Sequence, residues 1–115
     1  MSQYKEITTD ELLKMLAAGP LLLVDVRNDD EVARGIIPGA MHVPLAMLPM
    51  QYAALAKAEK LVFYCHSGVR SAHAADFASG QGRQDVYNLI GGVLAWAKAG
   101  HSFAAKNEGK TNNGI

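Results

Sequence analysis

The chain holds a single cysteine among its 115 residues. No disulfide can form within it, and a thiolate-rich zinc site cannot be built. Charge of either sign is not in excess: 11 Lys and Arg stand against 11 Asp and Glu, and no block of like charge occurs. That removes the electrostatic footprint of a nucleic-acid binder and of a polybasic membrane anchor. Long apolar runs are missing as well. The stretch Leu21 to Val24 is far too short to span a bilayer. The first residues, Met1 to Glu11, are polar and acidic, without the basic and apolar regions of a secretory signal. These absences lead to the expectation of a cytoplasmic monomer that binds neither nucleic acid nor membrane.

Half of the residues are apolar, enough for the core of one domain and too few for two. Strand and helix patterns alternate along the chain. Thr8 and Glu11 have capping-box spacing, opening a helix with Leu12, Leu13 and Leu16 inward. Gly19 and Pro20 end it. Leu21 to Val26 reads as a strand buried on both faces. Asn28 is placed to cap a short helix through Arg34, with Glu31 at its third position. Pro38 and Gly39 make a turn, Met41 to Val43 a short strand, and Met47 to Ala56 a helix. Leu61 to Tyr64 is a second buried strand. Ser71 is a candidate N-cap for a helix through Ala78, and Val86 to Leu89 is a third candidate strand. Gly91 and Gly92 turn the chain into a helix around Trp96, closed by Gly100. This alternation predicts an α/β fold with a parallel sheet covered by helices on both faces. The expected domain is 1–105, and 106–115, polar and rich in Gly and Asn, is expected to be a disordered tail.

The segment Cys65-His66-Ser67-Gly68-Val69-Arg70-Ser71 joins a buried strand to a helix, where open α/β sheets place their sites. The helix that follows offers unpaired N–H groups and the positive end of its dipole. Gly68 permits a tight turn, so that successive N–H groups can form an anion nest. Arg70 adds a planar cation suited to oxyanions. Helix N-termini and cations lower a thiol pKa from its free value of about 8.5, so Cys65 is expected to be a thiolate nucleophile. Core packing is the competing reading, since free cysteine is among the most buried residue types. Strand end, glycine, arginine and helix converge against it. His66 could polarise a substrate or simply stand in the loop. His42, His73 and His101 lack metal-ligand spacing, and no metal or cofactor is expected. The methionines and Trp96 read as packing.

Three segments in this order resemble the rhodanese family. They are Asp25-Val26-Arg27 with Glu31 and Gly35-Ile36-Ile37-Pro38-Gly39-Ala40, then Cys65 to Ser71, then Leu89-Ile90-Gly91-Gly92 with Trp96. The resemblance runs from about Tyr4 to His101. It implies a three-layer fold with a parallel five-stranded sheet, and sulfur transfer through a cysteine persulfide. Cys65 would be the nucleophile. The N–H groups of His66, Ser67, Gly68, Val69, Arg70 and Ser71 would cradle the donor and the persulfide, with Arg70 on the anionic end of a donor such as thiosulfate. The acceptor would be cyanide, an external thiol or a sulfur-acceptor protein. Asp25 and Arg27 would pin loops beneath the site.

The chain departs from the family pattern at Ile36, where histidine is frequent, and at His66, where arginine or lysine is common. Cysteine-dependent phosphatases of related fold have a loop one residue longer than the four residues separating Cys65 from Arg70. A shorter loop suits one sulfur atom better than a tetrahedral phosphate. Two further alternatives are a sulfur carrier serving a protein partner and a binding module without catalysis.

Overall fold

The computed structural model describes residues 3–106; most of the expected tail, 107–115, lies outside the described residues. Five strands form one parallel sheet: β1 (Lys5–Ile7), β2 (Leu22–Asp25), β3 (Met41–His42), β4 (Leu61–Tyr64) and β5 (Val86–Leu89), in the order β1-β5-β4-β2-β3. The helices are α1 (Thr9–Ala18), α2 (Asp29–Val32), α3 (Leu48–Leu55), α4 (Val69–Gly80) and α5 (Gly92–Lys98), with a 3-10 turn at Leu45–Met47 before α3.

Period-two alternation sorts β4 onto the two faces. Leu61, Phe63 and Cys65 enter one apolar cluster with Leu48 and Leu55 of α3 and Ala74, Ala75 and Ala78 of α4. Val62 and Tyr64 enter the other with Leu12 of α1 and Val93 and Trp96 of α5. All four residues of β4 are buried, as expected for the central strand of a covered parallel sheet. Its end is where the chain reverses its progress across the sheet: β2 leads to β3 on one side, β4 to β5 on the other. Such a switch point opens a crevice at the carboxyl ends of the strands, and Cys65 stands there.

Several expectations are corrected. Strand β1 was not read from the residues because Lys5 and Glu6 are exposed on an edge strand and only Ile7 is buried. Leu16 is 42% exposed, since α1 packs a narrow stripe centred on Leu12. The helix after Asn28 ends at Val32, short of Arg34. Ser71 is not a cap: Gly68, at φ +116°, starts α4 three residues earlier than the serine would. The box at Thr8 is present, with the Thr8 amide donating to Glu11 Oε1 at 2.8 Å and the Glu11 amide to Thr8 Oγ1 at 3.2 Å.

The loop after β4 rests on α5. The Val93 amide donates to the Cys65 carbonyl at 3.0 Å, and the Leu94 amide to the His66 carbonyl at 3.2 Å. Two orphan donors of the α5 N-terminus are thereby satisfied. This approach demands glycine before them. At φ +50°, a Cβ on Gly92 would lie 2.3 Å from the Cys65 carbonyl oxygen. Gly92→Ala should therefore cost about 2–4 kcal/mol, read by urea unfolding. Gly80→Ala, where nothing lies within 4 Å, should be near neutral. Equal effects would mean that the close approach is not what Gly92 serves.

Candidate active site

Cys65 is 1% exposed, and its sulfur is wrapped by the loop that follows. The Gly68 amide donates to Sγ at 3.1 Å, and the Ser71 hydroxyl lies 3.4 Å from it. The amides of Ser67 and Ser71 also favour the anion. The planar peptide explains the Ser67 amide: with the His66 carbonyl turned toward α5, the N–H of the same peptide must face the opposite way. Burial pushes the Cys65 thiol up, but the Ser71 hydroxyl and these amides together draw it below its ordinary value. The dipoles that favour the anion come from the loop, with a helix N-terminus behind them.

Ser71 is itself placed by a strand residue that sequence reasoning missed. Its hydroxyl lies 2.5 Å from Asn88 Oδ1 as well as 3.4 Å from the sulfur, so its one proton is shared between the two acceptors. Asn88, on β5, is 1% exposed and donates its own amide to the Gly68 carbonyl at 3.2 Å and to Glu6 Oε2 at 3.3 Å. One buried asparagine so ties the hydroxyl beside the sulfur to the turn that presents the Gly68 N–H. A lone Asn in an apolar strand had no local signature, although a buried polar side chain in a central sheet is rarely without a hydrogen-bonding duty.

Arg70 does not stand free. Its Nη1 and Nη2 donate to Glu31 Oε1 and Oε2 at 2.7 and 2.9 Å, a bidentate pair across the crevice between α4 and α2. Glu31 Oε1 also accepts from the Asn28 amide at 3.0 Å. The hydrogen bond from Arg70 lowers the Glu31 carboxyl to about 2, and Glu31 in turn raises Arg70. Beneath, Arg27 is 6% exposed and donates to Asp25 through Nε and Nη2, and to the Gly35 carbonyl through Nη2 at 2.7 Å. Burial and the neighbouring Asp25 charge raise the Tyr64 phenol, whose oxygen accepts from the Ile37 amide at 2.9 Å. The Asp25–Arg27 pair therefore fixes the segment after α2 under the site.

His66, Ser67 and Val69 are exposed on the loop. Trp96 is in the core, with its indole N–H on the Ser102 carbonyl. Among the described residues, no three His, Cys, Asp or Glu side chains are placed to hold a metal ion.

A rhodanese-like domain family model matches residues 8–99. The chain belongs to the rhodanese-like domain family. A sulfurtransferase of Allochromatium vinosum is 40% identical over 87% of this chain and 94% of its own length. A thiosulfate sulfurtransferase, GlpE, of Shewanella oneidensis is 32% identical over 86% of this chain and 98% of its own. Among solved structures, a Rhodopseudomonas palustris protein described as a possible tyrosine phosphatase superposes with a TM-score of 0.80. It is 31% identical and covers 88% of this chain and 85% of its own. This rhodanese-like domain also carries no helix, among the described residues, long and apolar enough to cross a membrane.

Two outcomes follow from the geometry. Ser71→Ala should raise the thiol pKa and slow iodoacetamide labelling of Cys65 at neutral pH on the order of tenfold, the worth of one hydrogen bond to a charged group; an unchanged labelling profile would remove Ser71 from the cradle. The Glu31–Arg70 pair contributes stability that is fully present above the ordinary glutamate value of 4.5 and is lost as pH falls toward about 2. Glu31→Gln should flatten acid unfolding across that window, and an unaltered acid limb would deny the pair that role.

Proposed function

We propose that the protein is a sulfurtransferase working through a persulfide on Cys65. The observation that carries this reading is the cradle itself: a buried sulfur facing the Gly68 N–H and the Ser71 hydroxyl at 3.1 and 3.4 Å. The sulfurtransferase names of the relatives support it. The Cys65 thiolate attacks the sulfane sulfur of thiosulfate. A bond forms between Sγ and that sulfur, the sulfur–sulfur bond of the donor breaks, and sulfite leaves with the electron pair. The persulfide anion then replaces the thiolate against the same amides of Ser67, Gly68 and Ser71. An acceptor thiolate or cyanide attacks the outer sulfur, and the pair from the Sγ–S bond returns to Cys65. One transfer is divided into two easier ones, each with its charge on preorganised dipoles.

Arg70 supplies the cation at the rim for the anionic end of the donor, held in place by Glu31. His66 and Val69 stand exposed on the same segment. A reducing compartment such as the cytoplasm would keep the single thiol available.

A phosphatase reading, raised by the R. palustris neighbour, fits less well. The four-residue span between Cys65 and Arg70 closes around one sulfur atom and gives a tetrahedral phosphate less room.

Intact-protein mass spectrometry after thiosulfate tests the proposal. The wild type should gain one sulfur atom and lose it to cyanide with release of thiocyanate, and Cys65→Ser should gain none. A wild type that stays unloaded by thiosulfate and by polysulfide, with its thiol shown to be reduced, would overturn the reading. Arg70→Ala should slow loading from thiosulfate more than loading from a neutral organic trisulfide; equal losses would argue against anion binding by Arg70.

A further inference from the structure

Asn88 stands on the face of the sheet that carries Cys65. Its neighbour in register on β4 is Phe63, and on β1 it is Glu6. Phe63 and Cys65 pack into the same apolar cluster. Between Asn88 and the sulfur lies the Ser71 hydroxyl, 2.5 Å from Asn88 Oδ1 and 3.4 Å from Sγ. Cys65, Ser71 and Asn88 are all buried, so bulk water offers the hydroxyl no other partner.

The direction of the carboxamide is settled by its other end. Asn88 Nδ2 meets the Gly68 carbonyl at 3.2 Å and Glu6 Oε2 at 3.3 Å. Both are acceptors, so the amide nitrogen belongs there and the oxygen faces Ser71. An amide turned the other way would set Oδ1 against a carbonyl and a carboxylate. The hydroxyl therefore has one proton and two acceptors in reach, and the nearer acceptor is fixed.

We propose that Asn88 gives the Ser71 proton a second seat, so that the hydroxyl serves Sγ while the charge is there and turns back to Oδ1 once the charge has moved to the outer sulfur. With a neutral thiol the proton lies on Oδ1, the closer acceptor. When Sγ is an anion the hydroxyl turns to it. When Sγ has bonded to the sulfane sulfur and sulfite has left with its electron pair, the charge sits on the outer atom and Oδ1 takes the proton again. The proton stays covalently on Ser71 Oγ throughout, and only its hydrogen bond changes direction. A buried donor with the sulfur as its one acceptor would be left unsatisfied at that point, at the full cost of its desolvation. Asn88 is thus a positioning residue acting through Ser71. The thiolate half stands by itself, and the return to Oδ1 rests on the persulfide reading above.

Two titratable groups touch this chain of hydrogen bonds, Glu6 at Nδ2 and Cys65 at the hydroxyl. The Arg70 charge of α4, paired with Glu31 of α2, acts on the sulfur as well. The seat is therefore read at the asparagine itself, in the unaltered reduced protein, from the NMR signal of its side-chain carbonyl carbon. That signal moves to lower frequency when the oxygen loses a hydrogen bond. It should do so across the pH range in which Cys65 ionises, as followed by alkylation. Most of the step should vanish in Ser71→Ala, which keeps the field of the thiolate but has no hydroxyl. Loading with thiosulfate should return the signal toward its thiol position at the same pH. Asn88→Leu, which leaves Ser71 the sulfur alone, should lower the alkylation midpoint and slow loading per thiolate about tenfold. Added to Ser71→Ala, it should leave the midpoint in place.

No step in the carbon signal, a step of equal size in Ser71→Ala, or a midpoint that Asn88→Leu does not lower would overturn the seat. So would an equal lowering without the hydroxyl. The carbon signal decides the matter even where Asn88→Leu fails to fold. A loaded protein whose signal stays at the thiolate position would overturn the return. A protein that never loads would sink the persulfide reading and the return with it, while the thiolate step still decides the seat.

Discussion

A single peptide orientation underlies the site. Where β4 ends, the Cys65 and His66 carbonyls turn toward the first amides of α5, and the N–H of the His66–Ser67 peptide is left on the side of the sulfur. The Gly68 and Ser71 amides complete the set from the turn into α4. The interaction requires Gly92 on one side, where no Cβ fits, and Gly68 on the other, whose left-handed turn starts α4. A cysteine as buried as this one would ordinarily be an inert core residue. It is the dipoles around it, rather than exposure, that favour the anion.

Two ion pairs frame that cradle, and they differ in burial. Asp25 and Arg27 are nearly inaccessible, and such a pair gives order to loops more than net stability. Its hydrogen bond to the Gly35 carbonyl and its proximity to Tyr64 fix the chain after α2 in one position. Glu31 and Arg70 are partly exposed, with side chains 26% and 32% accessible, and solvent weakens them accordingly. Their consequence is chemical: the arginine at the mouth of the loop is held by a carboxylate of the same chain, and its charge is already partly neutralised.

What was legible in the sequence was local. The Cys65-to-Ser71 segment declares itself because strand end, glycine and arginine fall within a few residues, and the Thr8 box needs only a three-residue spacing. Contacts between distant parts of the chain left no such trace. Glu31 lies 39 residues from Arg70, and its capping spacing pointed only to α2. Asn88 is 17 residues from Ser71, and nothing in Val86 to Leu89 marks it as the support of a hydroxyl. Strand β1 exists because β5 offers it an edge, not because Lys5 and Glu6 favour one. Ser71 looked like a cap by composition; the structure instead uses Gly68 for the turn and frees the serine hydroxyl to face the sulfur. Residue types suited to capping are also suited to anion binding, since both tasks present a small polar group near free amides.

The account stands on the loop favouring the anionic form of the Cys65 thiol. The most direct measurement is the rate of iodoacetamide alkylation of the wild-type thiol across pH, followed by intact mass. The predicted midpoint lies below the free-cysteine value of about 8.5. A profile that titrates at or above that value would contradict the account, because the amides of Ser67, Gly68 and Ser71 would then be giving the sulfur no net preference for its charge.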